Sequence, residues 1–373
     1  MVLILVVIFF FFLYACLIFY YWYHWNQLPS FETREHGNNL FVSVVIAARN
    51  EENNLPQLLK AITAQTHPKH LFEVIIVDDF STDNTLKNIQ PFINAFVRVI
   101  HPASAKNSSS KKKAIEAGVM AAKGELIVIT DADCLPGPEW LQTITNFSTG
   151  KNAVFIAAPV KFAYEASALQ IFQALDFMVL QGITAASVFA NFHSMCNGAN
   201  LAYTKQAFSE VNGFEGIDKI SSGDDMLLMY KIWKKHPQSV QYLKSKKAIV
   251  STQPMLTWKD FFMQRRRWAS KTIYYDDKRV LATLAFVYLF NLLFIVLLVA
   301  SFFNPFYWWM VLGYWILKTL IEMLFVASVA KFYYEKKLLF YFPFFQPLHI
   351  FYTVGVGLLS QFGKYEWKGR RLR

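Results

Sequence analysis

The sequence has few cysteines, and its first stretch contains no lysine, arginine or acidic residue. The three cysteines are Cys16, Cys134 and Cys196, and their spacing fits neither a metal site nor a disulfide framework. No Lys, Arg, Asp or Glu precedes Glu32. The basic start and small-residue cleavage site of a signal peptide are therefore missing. Residues 1–25 predict an uncleaved transmembrane anchor, since about 20 apolar residues suffice to cross a bilayer.

The sequence also contains no nucleic-acid-binding motif, although it is basic. It has 37 Lys and Arg against 26 Asp and Glu, a formal net charge of +11. Part of this charge lies beside apolar segments. We therefore expect anionic lipid and a diphosphate ligand as partners, and no nucleic acid.

The C-terminal third is mostly apolar and predicts further membrane helices at 280–362, followed by a basic tail at 363–373. Pro343 and Pro347 interrupt the last apolar run, which favours a re-entrant or interfacial segment over a full crossing. Lys318 and Glu322 are spaced i, i+4 within an apolar helix. They predict an ion pair, because a lone charge is costly in the membrane.

Residues 40–252 have the pattern of an α/β domain. The runs at 42–46, 74–77 and 126–130 are short and mostly β-branched, as in buried parallel strands. Each ends in polar residues and is followed by a helical pattern. This order predicts a doubly wound sheet whose ligand binds at the carboxyl ends of the strands.

Acidic residues stand where these strands end. Asp131 and Asp133 form a D-x-D pair, whose oxygen ligands suit Mg²⁺ or Mn²⁺ together with substrate phosphates. Asp79 is placed to accept hydrogen bonds from a base or ribose. Asp83 is better interpreted as a cap for the helix that begins near Asn84.

A third acidic pair and a lysine run complete the candidate residues of this domain. Asp225 is the candidate general base, which would take a proton from an acceptor hydroxyl. Asp224 fits the first turn of the following helix, where acidic residues are favoured. Lys111 is the member of a lysine run that could reach a diphosphate, while a solvated charge run explains the others.

Residues 255–277 predict an amphipathic interfacial helix. On such a helix Gln264, Arg267 and Trp268 share one face, which offers an amide, a guanidinium and an aromatic surface to a diphosphate and a sugar ring. A basic helix lying on anionic lipid is the other interpretation. Both can hold if the remaining cations face lipid headgroups, namely Arg265, Arg266 and Lys271.

Together these motifs resemble, in their order, those of family 2 glycosyltransferases. The similarity is to the membrane-bound branch that includes cellulose, chitin, hyaluronan and poly-N-acetylglucosamine synthases and ceramide glucosyltransferase. It covers roughly residues 40 to 275. The motifs that carry it are Ala48-Arg49-Asn50-Glu51-Glu52, Val77-Asp78-Asp79, Asp131-Ala132-Asp133, Gly223-Asp224-Asp225 and Gln264-Arg265-Arg266-Arg267-Trp268.

The resemblance implies a GT-A fold, a nucleotide-diphosphate sugar donor, a divalent cation and inversion at the anomeric carbon. A UDP-sugar is the favoured donor and Mg²⁺ or Mn²⁺ the cofactor. Asp133 would hold the metal and Asp225 would be the base. The residues implied to bind substrate are Arg49, Glu51, Asp79, Lys111, Asp131, Gln264, Arg267 and Trp268.

The expected function is transfer of a sugar to a membrane lipid or lipid-linked acceptor by a protein of the inner or plasma membrane with a cytoplasmic catalytic domain. The alternative is a processive polysaccharide synthase, which would need more membrane helices around a polymer channel. A non-catalytic membrane scaffold would not need the intact acidic motifs. A nucleotidyltransferase is expected to have a glycine-rich basic signature near the start of the domain, and residues 42–52 lack one.

Overall fold

The computed structural model divides the chain into two compact units. It describes residues 2–32, 39–102, 111–192, 195–218, 220, 223–271, 274–275, 277–360, 365–367 and 370–372. The sheet unit comprises Pro29–Ala163 and Ser194–Gln253, and the helical unit comprises Met1–Leu28, Tyr164–His193 and Pro254–Arg373. The sequence predicts one uninterrupted domain at 40–252, whereas in the structure the segment from Tyr164 to His193 groups with the apolar helices.

The sheet unit is built on a mixed sheet of seven strands. The strands of this unit are β1 Val42–Ala48, β2 Phe72–Asp78, β3 Val97–Ile100, β4 Leu126–Ile129, β5 Leu135–Pro136, β6 Phe155–Ala157, β7 Val160–Phe162, β8 Leu201–Thr204, β9 Val240–Tyr242 and β10 Val250–Thr252. The main sheet has the order β3-β2-β1-β4-β8-β6-β9, and β5, β10 and β7 form a smaller one. Strands β1 to β4 are parallel, and β8 pairs antiparallel with β4. The predicted α/β class is confirmed.

Helices of the described chain occur in both units. In chain order they are α1 Val2–Gln27, α2 Leu55–Thr63, α3 Thr85–Ile89, α4 Lys111–Ala121, α5 Trp140–Lys151, α6 Ala168–Phe189, α7 Lys205–Glu210, α8 Asp224–Lys235, α9 Trp258–Ala269, α10 Lys278–Ser301, α11 Phe306–Tyr333 and α12 Leu338–Leu359. Within the sheet unit, α4 packs directly on β1 and β2. A Cβ added at Gly118 of α4 would come within 2.3 Å of the side chain of Val45, so this close approach requires glycine.

The helical unit contains five helices that are long and apolar enough to cross a membrane, judged within the described residues by length and composition. They are α1, α6, α10, α11 and α12. In four of them 22–33% of the most apolar window is buried, whereas in α6 the share is 83%. Helix α6 therefore lies inside this unit, and the other four present apolar side chains outward.

Helix α6 is absent from the sequence prediction because polar residues dilute its apolar pattern. Gln170, Gln173, Asp176 and Gln181 interrupt the run, and the mean hydropathy of its window is 1.4 against 2.9 for α1. In the structure these four side chains are buried. Asp176, for example, pairs with Arg265 of α9, a contact that local composition does not reveal.

Helix α12 continues through Pro343 and Pro347. The expectation that this segment is re-entrant or interfacial stays a prediction. A proline at 347 cannot donate to the carbonyl of residue 343, which leaves that oxygen without its helical partner. The indole Nε1 of Trp315 donates to the Pro343 carbonyl at 2.9 Å. A neighbouring helix thus satisfies the freed group, as membrane helices require.

The predicted ion pair between Lys318 and Glu322 is confirmed. The Lys318 Nζ lies 2.6 Å from Glu322 Oε1 and 2.7 Å from Gln346 Oε1, and it is fully buried. Tyr14 and Gln346 donate further hydrogen bonds to the Glu322 carboxylate. Three helices therefore share one neutral polar cluster.

Part of the basic tail at 363–373 falls outside the described residues. The structure describes only the backbone of two antiparallel strands there, β11 Tyr365–Trp367 and β12 Arg370–Leu372. Lys364, Lys368 and Arg373 lie outside the described residues.

Candidate active site

The loops after β1 and β2 lie side by side, since Ala48 and Asp78 are partners in the parallel ladder. The Asp79 backbone N–H donates to the Ala48 carbonyl at 2.8 Å, and Arg49 Nη1 donates to the Asp79 carbonyl at 2.7 Å. Asp79 is 4% exposed. The structure thus brings together Arg49 and Asp79, two residues predicted to bind substrate.

Asp83 has the capping role that the sequence predicts. Its carboxylate accepts from the backbone N–H and hydroxyl of Thr85 and from the backbone N–H of Glu52. Burial raises the pKa of Asp83, but the hydrogen bonds from Thr85 and Glu52 outweigh burial and hold it below its ordinary value. These bonds join the Glu51 loop to α3, and Glu51 itself donates its backbone N–H to Thr85 Oγ1.

Asp131 and Asp133 follow β4 and have different surroundings. Asp131 Oδ1 lies 2.6 Å from Lys111 Nζ, while Asp133 Oδ2 accepts a hydrogen bond from Thr252 Oγ1 at 3.2 Å. The pKa of Asp133 is raised, first by burial and then by the negative charges of Asp131 and Glu51. The motifs after β1 and β4 therefore bring Glu51 and Asp131 close enough to Asp133 to raise its pKa.

Asp224 and Asp225 are the first two residues of α8. Asp225 Oδ2 accepts from the backbone N–H of Gly198 at 2.9 Å, and its Oδ1 accepts from the N–H of Met226 at 2.8 Å. Asp224 Oδ2 lies 3.5 Å from Lys111 Nζ. The sequence interpretation of Asp224 as only a first-turn residue therefore misses its ion pair in this cluster.

Lys111 connects the second and third acidic motifs. It is the first residue of α4, and its ammonium lies between Asp131 and Asp224. Burial alone would lower the pKa of Lys111, but these carboxylates raise it well above its ordinary value, so the side chain stays charged. A cation held among acidic groups at the strand ends is suited to bind a phosphate oxygen.

Gly198 is a site residue that the sequence analysis misses. A Cβ built there would lie 3.3 Å from Lys111 Nζ and 3.6 Å from Asp225 Oδ2. The available signal is the turn-forming run Asn197-Gly198-Ala199-Asn200 directly before β8. Fully buried Asn200 anchors this run by donating to the carbonyls of Pro159 and Ala248, both at 2.8 Å.

The donor set suits a divalent cation that retains waters. Within the described residues no group of three or more His, Cys, Asp and Glu side chains could hold a metal on its own. Asp131 and Asp133 offer two carboxylates at a strand end, which Mg²⁺ or Mn²⁺ would complement with waters and substrate phosphates. The pKa of Asp133 is raised by burial and by the neighbouring carboxylates. A bound cation would oppose this shift and favour the ionised form of Asp133.

Gln264, Arg267 and Trp268 lie on α9 in the helical unit, so the predicted helical context is confirmed, within the bounds Trp258–Ala269. Trp268 packs against Phe177 of α6, with ring centroids 6.1 Å apart. The expectation that Arg265 faces lipid headgroups is wrong. It is 2% exposed, and its Nη2 lies 2.8 Å from Asp176 Oδ2.

Comparison with solved structures identifies the fold. A mannosyltransferase from Pyrobaculum calidifontis, PcManGT, solved with GDP-Man and Mn²⁺, matches with a TM-score of 0.56 and 15% identity over 97% of each chain. The parallel strands with acidic residues at their carboxyl ends, and this neighbour, define the GT-A fold of glycosyltransferases.

Sequence comparisons give the family. The profile described as "Glycosyl transferase family group 2" matches residues 126–328, and "Glycosyl transferase family 2" matches 43–208. The chain belongs to glycosyltransferase family 2.

Individual relatives match over shorter segments. Glycosyltransferase AglE of Haloferax volcanii is 29% identical over 33% of this chain and 40% of its own length. A probable glycosyltransferase of Bacillus subtilis, YdaM, is 24% identical over 61% of this chain and 54% of its own. An undecaprenyl-phosphate 4-deoxy-4-formamido-L-arabinose transferase of Proteus mirabilis is 36% identical over 26% of this chain and 30% of its own. The matches therefore span about half of these relatives or less.

Proposed function

We propose that this protein transfers a sugar, with inversion, from a nucleotide-diphosphate sugar to a membrane lipid or lipid-linked acceptor. The observation that carries the proposal is the charged cluster in which Lys111 joins Asp131 to Asp224 beside Asp225. In a family 2 glycosyltransferase, such a cluster supports donor binding and proton abstraction.

The donor would bind along the loops at the carboxyl ends of β1, β2 and β4. Arg49, Glu51 and Asp79 lie in the first two loops and would bind the base and ribose. Lys111 would bind a diphosphate oxygen, exchanging part of its pairing with Asp131 and Asp224 for that of the substrate. A UDP-sugar is the donor that we expect.

A divalent cation would be held by Asp133, with Asp131 beside it. Bound there, Mg²⁺ or Mn²⁺ would neutralise charge on the departing diphosphate. The hydrogen bond from Thr252 Oγ1 orients the Asp133 carboxylate. Gln264, Arg267 and Trp268 of α9 are further proposed substrate-binding residues.

Asp225 would act as the general base. Its carboxylate would take the proton of the acceptor hydroxyl as that oxygen forms a bond to the anomeric carbon. The bond from that carbon to the diphosphate oxygen breaks at the same time, and the nucleoside diphosphate leaves. Hydrogen bonds from the backbone N–H groups of Gly198 and Met226 hold the carboxylate in place.

A membrane acceptor is supported by the helical unit and by one relative. Helix α9 leads within a dozen residues to α10, so an acceptor held in the membrane would reach the α9 residues without crossing bulk water. The name of the Proteus mirabilis relative specifies undecaprenyl phosphate. We expect the acceptor of this chain to be a membrane lipid or lipid-linked molecule as well, with a hydroxyl group that Asp225 can deprotonate.

The size of the product tests this acceptor assignment. Purified enzyme incubated with labelled UDP-sugars or GDP-mannose and a membrane lipid extract should place the label in the organic phase. A matched reaction without lipid should give only slow donor hydrolysis. Water-soluble, high-molecular-mass, glycosidase-sensitive product would instead show the alternative function, a polysaccharide synthase.

We further propose that the sheet unit is cytoplasmic, where nucleotide-sugars are made, in an inner or plasma membrane protein. A full crossing by α12 would put the basic tail at 363–373 outside, against the positive-inside tendency. In a chain whose Cys16 and Cys196 are replaced by serine, a cysteine appended after Arg373 should resist an impermeant maleimide in intact cells. It should react after permeabilisation. Labelling in intact cells would show that the tail is external.

A further inference from the structure

Asp176 and Arg265 form an ion pair inside the helical unit. The Arg265 Nη2 lies 2.8 Å from Asp176 Oδ2, and the two side chains are only 1% and 5% exposed. Asp176 belongs to α6 and Arg265 to α9. His349 of α12 approaches the same carboxylate, with its Nε2 3.6 Å from Asp176 Oδ1. One carboxylate on the most buried helix thus contacts two neighbouring helices.

The rest of the Arg265 guanidinium faces aromatic rings. Its centre lies 4.4 Å from the Trp268 ring, 5.2 Å from that of Phe261 and 6.0 Å from that of Tyr352. Its Nε and Nη1 have no hydrogen-bond partner among the described residues. Asp176 is therefore the anionic partner on which this buried charge depends, and cation–π contacts supply the remainder.

A buried ion pair of this kind adds little net free energy of folding. The desolvation of two charges can cancel their attraction, and an apolar replacement of both partners is often neutral or stabilising. The pair does, however, determine geometry. Neighbouring residues on a helix point about 100° apart, so anchoring Arg265 sets the directions of Gln264 and Arg267 around the α9 axis.

We propose that Asp176 is a positioning residue for transfer: through Arg265 it sets the rotation of α9 and thereby the directions of Gln264, Arg267 and Trp268. The inference rests on the proposed role of these three α9 residues. Asp176 itself touches no substrate, and its effect passes entirely through the buried pair.

The test separates positioning from stability by removing both charges together. Asp176→Asn alone leaves Arg265 without its anion and should lower the Tm in detergent. Asp176→Leu combined with Arg265→Met should restore much of the Tm. Its kcat/KM with UDP-GlcNAc or GDP-mannose and Mn²⁺ should nevertheless stay roughly 10- to 100-fold below wild type, the scale of a 1 Å misplacement. Recovery of both Tm and kcat/KM in the double variant would overturn the proposal.

A matched control is a second buried ion pair among the described residues of the same unit, Lys318 with Glu322, which has no member on α9. Lys318→Met combined with Glu322→Gln should change Tm but leave kcat/KM near that of wild type. An equal loss of kcat/KM in this control would mean that any buried pair has the same effect, and would also overturn the proposal.

A second readout does not depend on turnover. With Cys16 and Cys196 replaced by serine, a cysteine at the exposed position 263 of α9 reports its orientation through its rate of maleimide labelling. The rate should change severalfold in the Asp176→Leu, Arg265→Met background and stay constant in the Lys318→Met, Glu322→Gln background. If wild type turns over no donor, the proposed function fails. An unchanged labelling rate overturns the role of Asp176 alone.

Discussion

Replacing Asp225 should abolish sugar transfer while leaving donor binding largely intact. A general base contributes about 10²- to 10⁴-fold to a rate, and Asp225 is the carboxylate held by Gly198 and Met226 beside the Lys111 cluster. We expect kcat to fall by that range in Asp225→Ala and in the isosteric Asp225→Asn. Equilibrium binding of UDP or GDP with Mn²⁺, measured by calorimetry, should change little.

Asp133→Ala should lose transfer for a different reason. It removes the proposed metal ligand, so metal-dependent nucleotide binding should weaken along with kcat. Because the pKa of Asp133 is raised, the wild-type enzyme should also need more Mn²⁺ as the pH falls toward that pKa, where protonation competes with the metal. Titrations of activity against Mn²⁺ at several pH values measure both effects.

The matched control for these variants is Glu139→Gln. Glu139 pairs with Lys247 at 2.5 Å on the surface, and both side chains are at least 40% exposed. Exposed pairs contribute little to stability, so this variant should fold like wild type. Glu139 is not one of the proposed site residues, so its kinetics should also be those of wild type. Full activity in either aspartate variant, with the protein correctly folded, would refute the assigned mechanism.

Lys111→Met should have a smaller effect than either aspartate variant, but it should still lower kcat/KM. Without the ammonium, Asp131 and Asp224 face each other uncompensated, and the diphosphate loses a charged donor. One charge-assisted hydrogen bond is worth about 1.5–3 kcal/mol, which corresponds to roughly 10- to 150-fold in kcat/KM. Steady-state kinetics with varied donor should show this loss, with a raised donor KM.

Lys113→Met provides the comparison in the same lysine run. Lys113 is exposed, whereas Lys111 is in the acidic cluster. We expect Lys113→Met to retain wild-type kcat/KM. Equal losses in the two variants would mean that the run acts through its overall positive charge rather than through the ion pairs of Lys111.

Local sequence patterns are sufficient to predict three strands of the main sheet. Strands β1, β2 and β4 are short apolar runs, and the acidic motifs follow β2 and β4 directly. A parallel sheet aligns the carboxyl ends of its strands, so the pattern also places these motifs at one edge. The cap formed by Asp83 and the i, i+4 pair of Lys318 with Glu322 are equally local, and both are confirmed.

Other features depend on contacts between distant segments. Lys111 meets Asp224, and Gly198 meets Asp225, only after the chain has folded. The burial of α6 and the continuity of α12 through its prolines also depend on neighbouring helices, such as the one that supplies Trp315. None of these leaves a periodic signal in its own segment.

The sequence by itself determined strands β1, β2 and β4, most of the apolar helices and the order of the acidic motifs, because hydrophobic period and chain direction are local properties. Only the tertiary structure decided that Lys111 joins two of these motifs and that Arg265 is buried against Asp176 rather than exposed to lipid. The physical reason is that a buried charge is tolerated only where another segment brings its partner, and a partner distant in sequence cannot be inferred from the residues beside it.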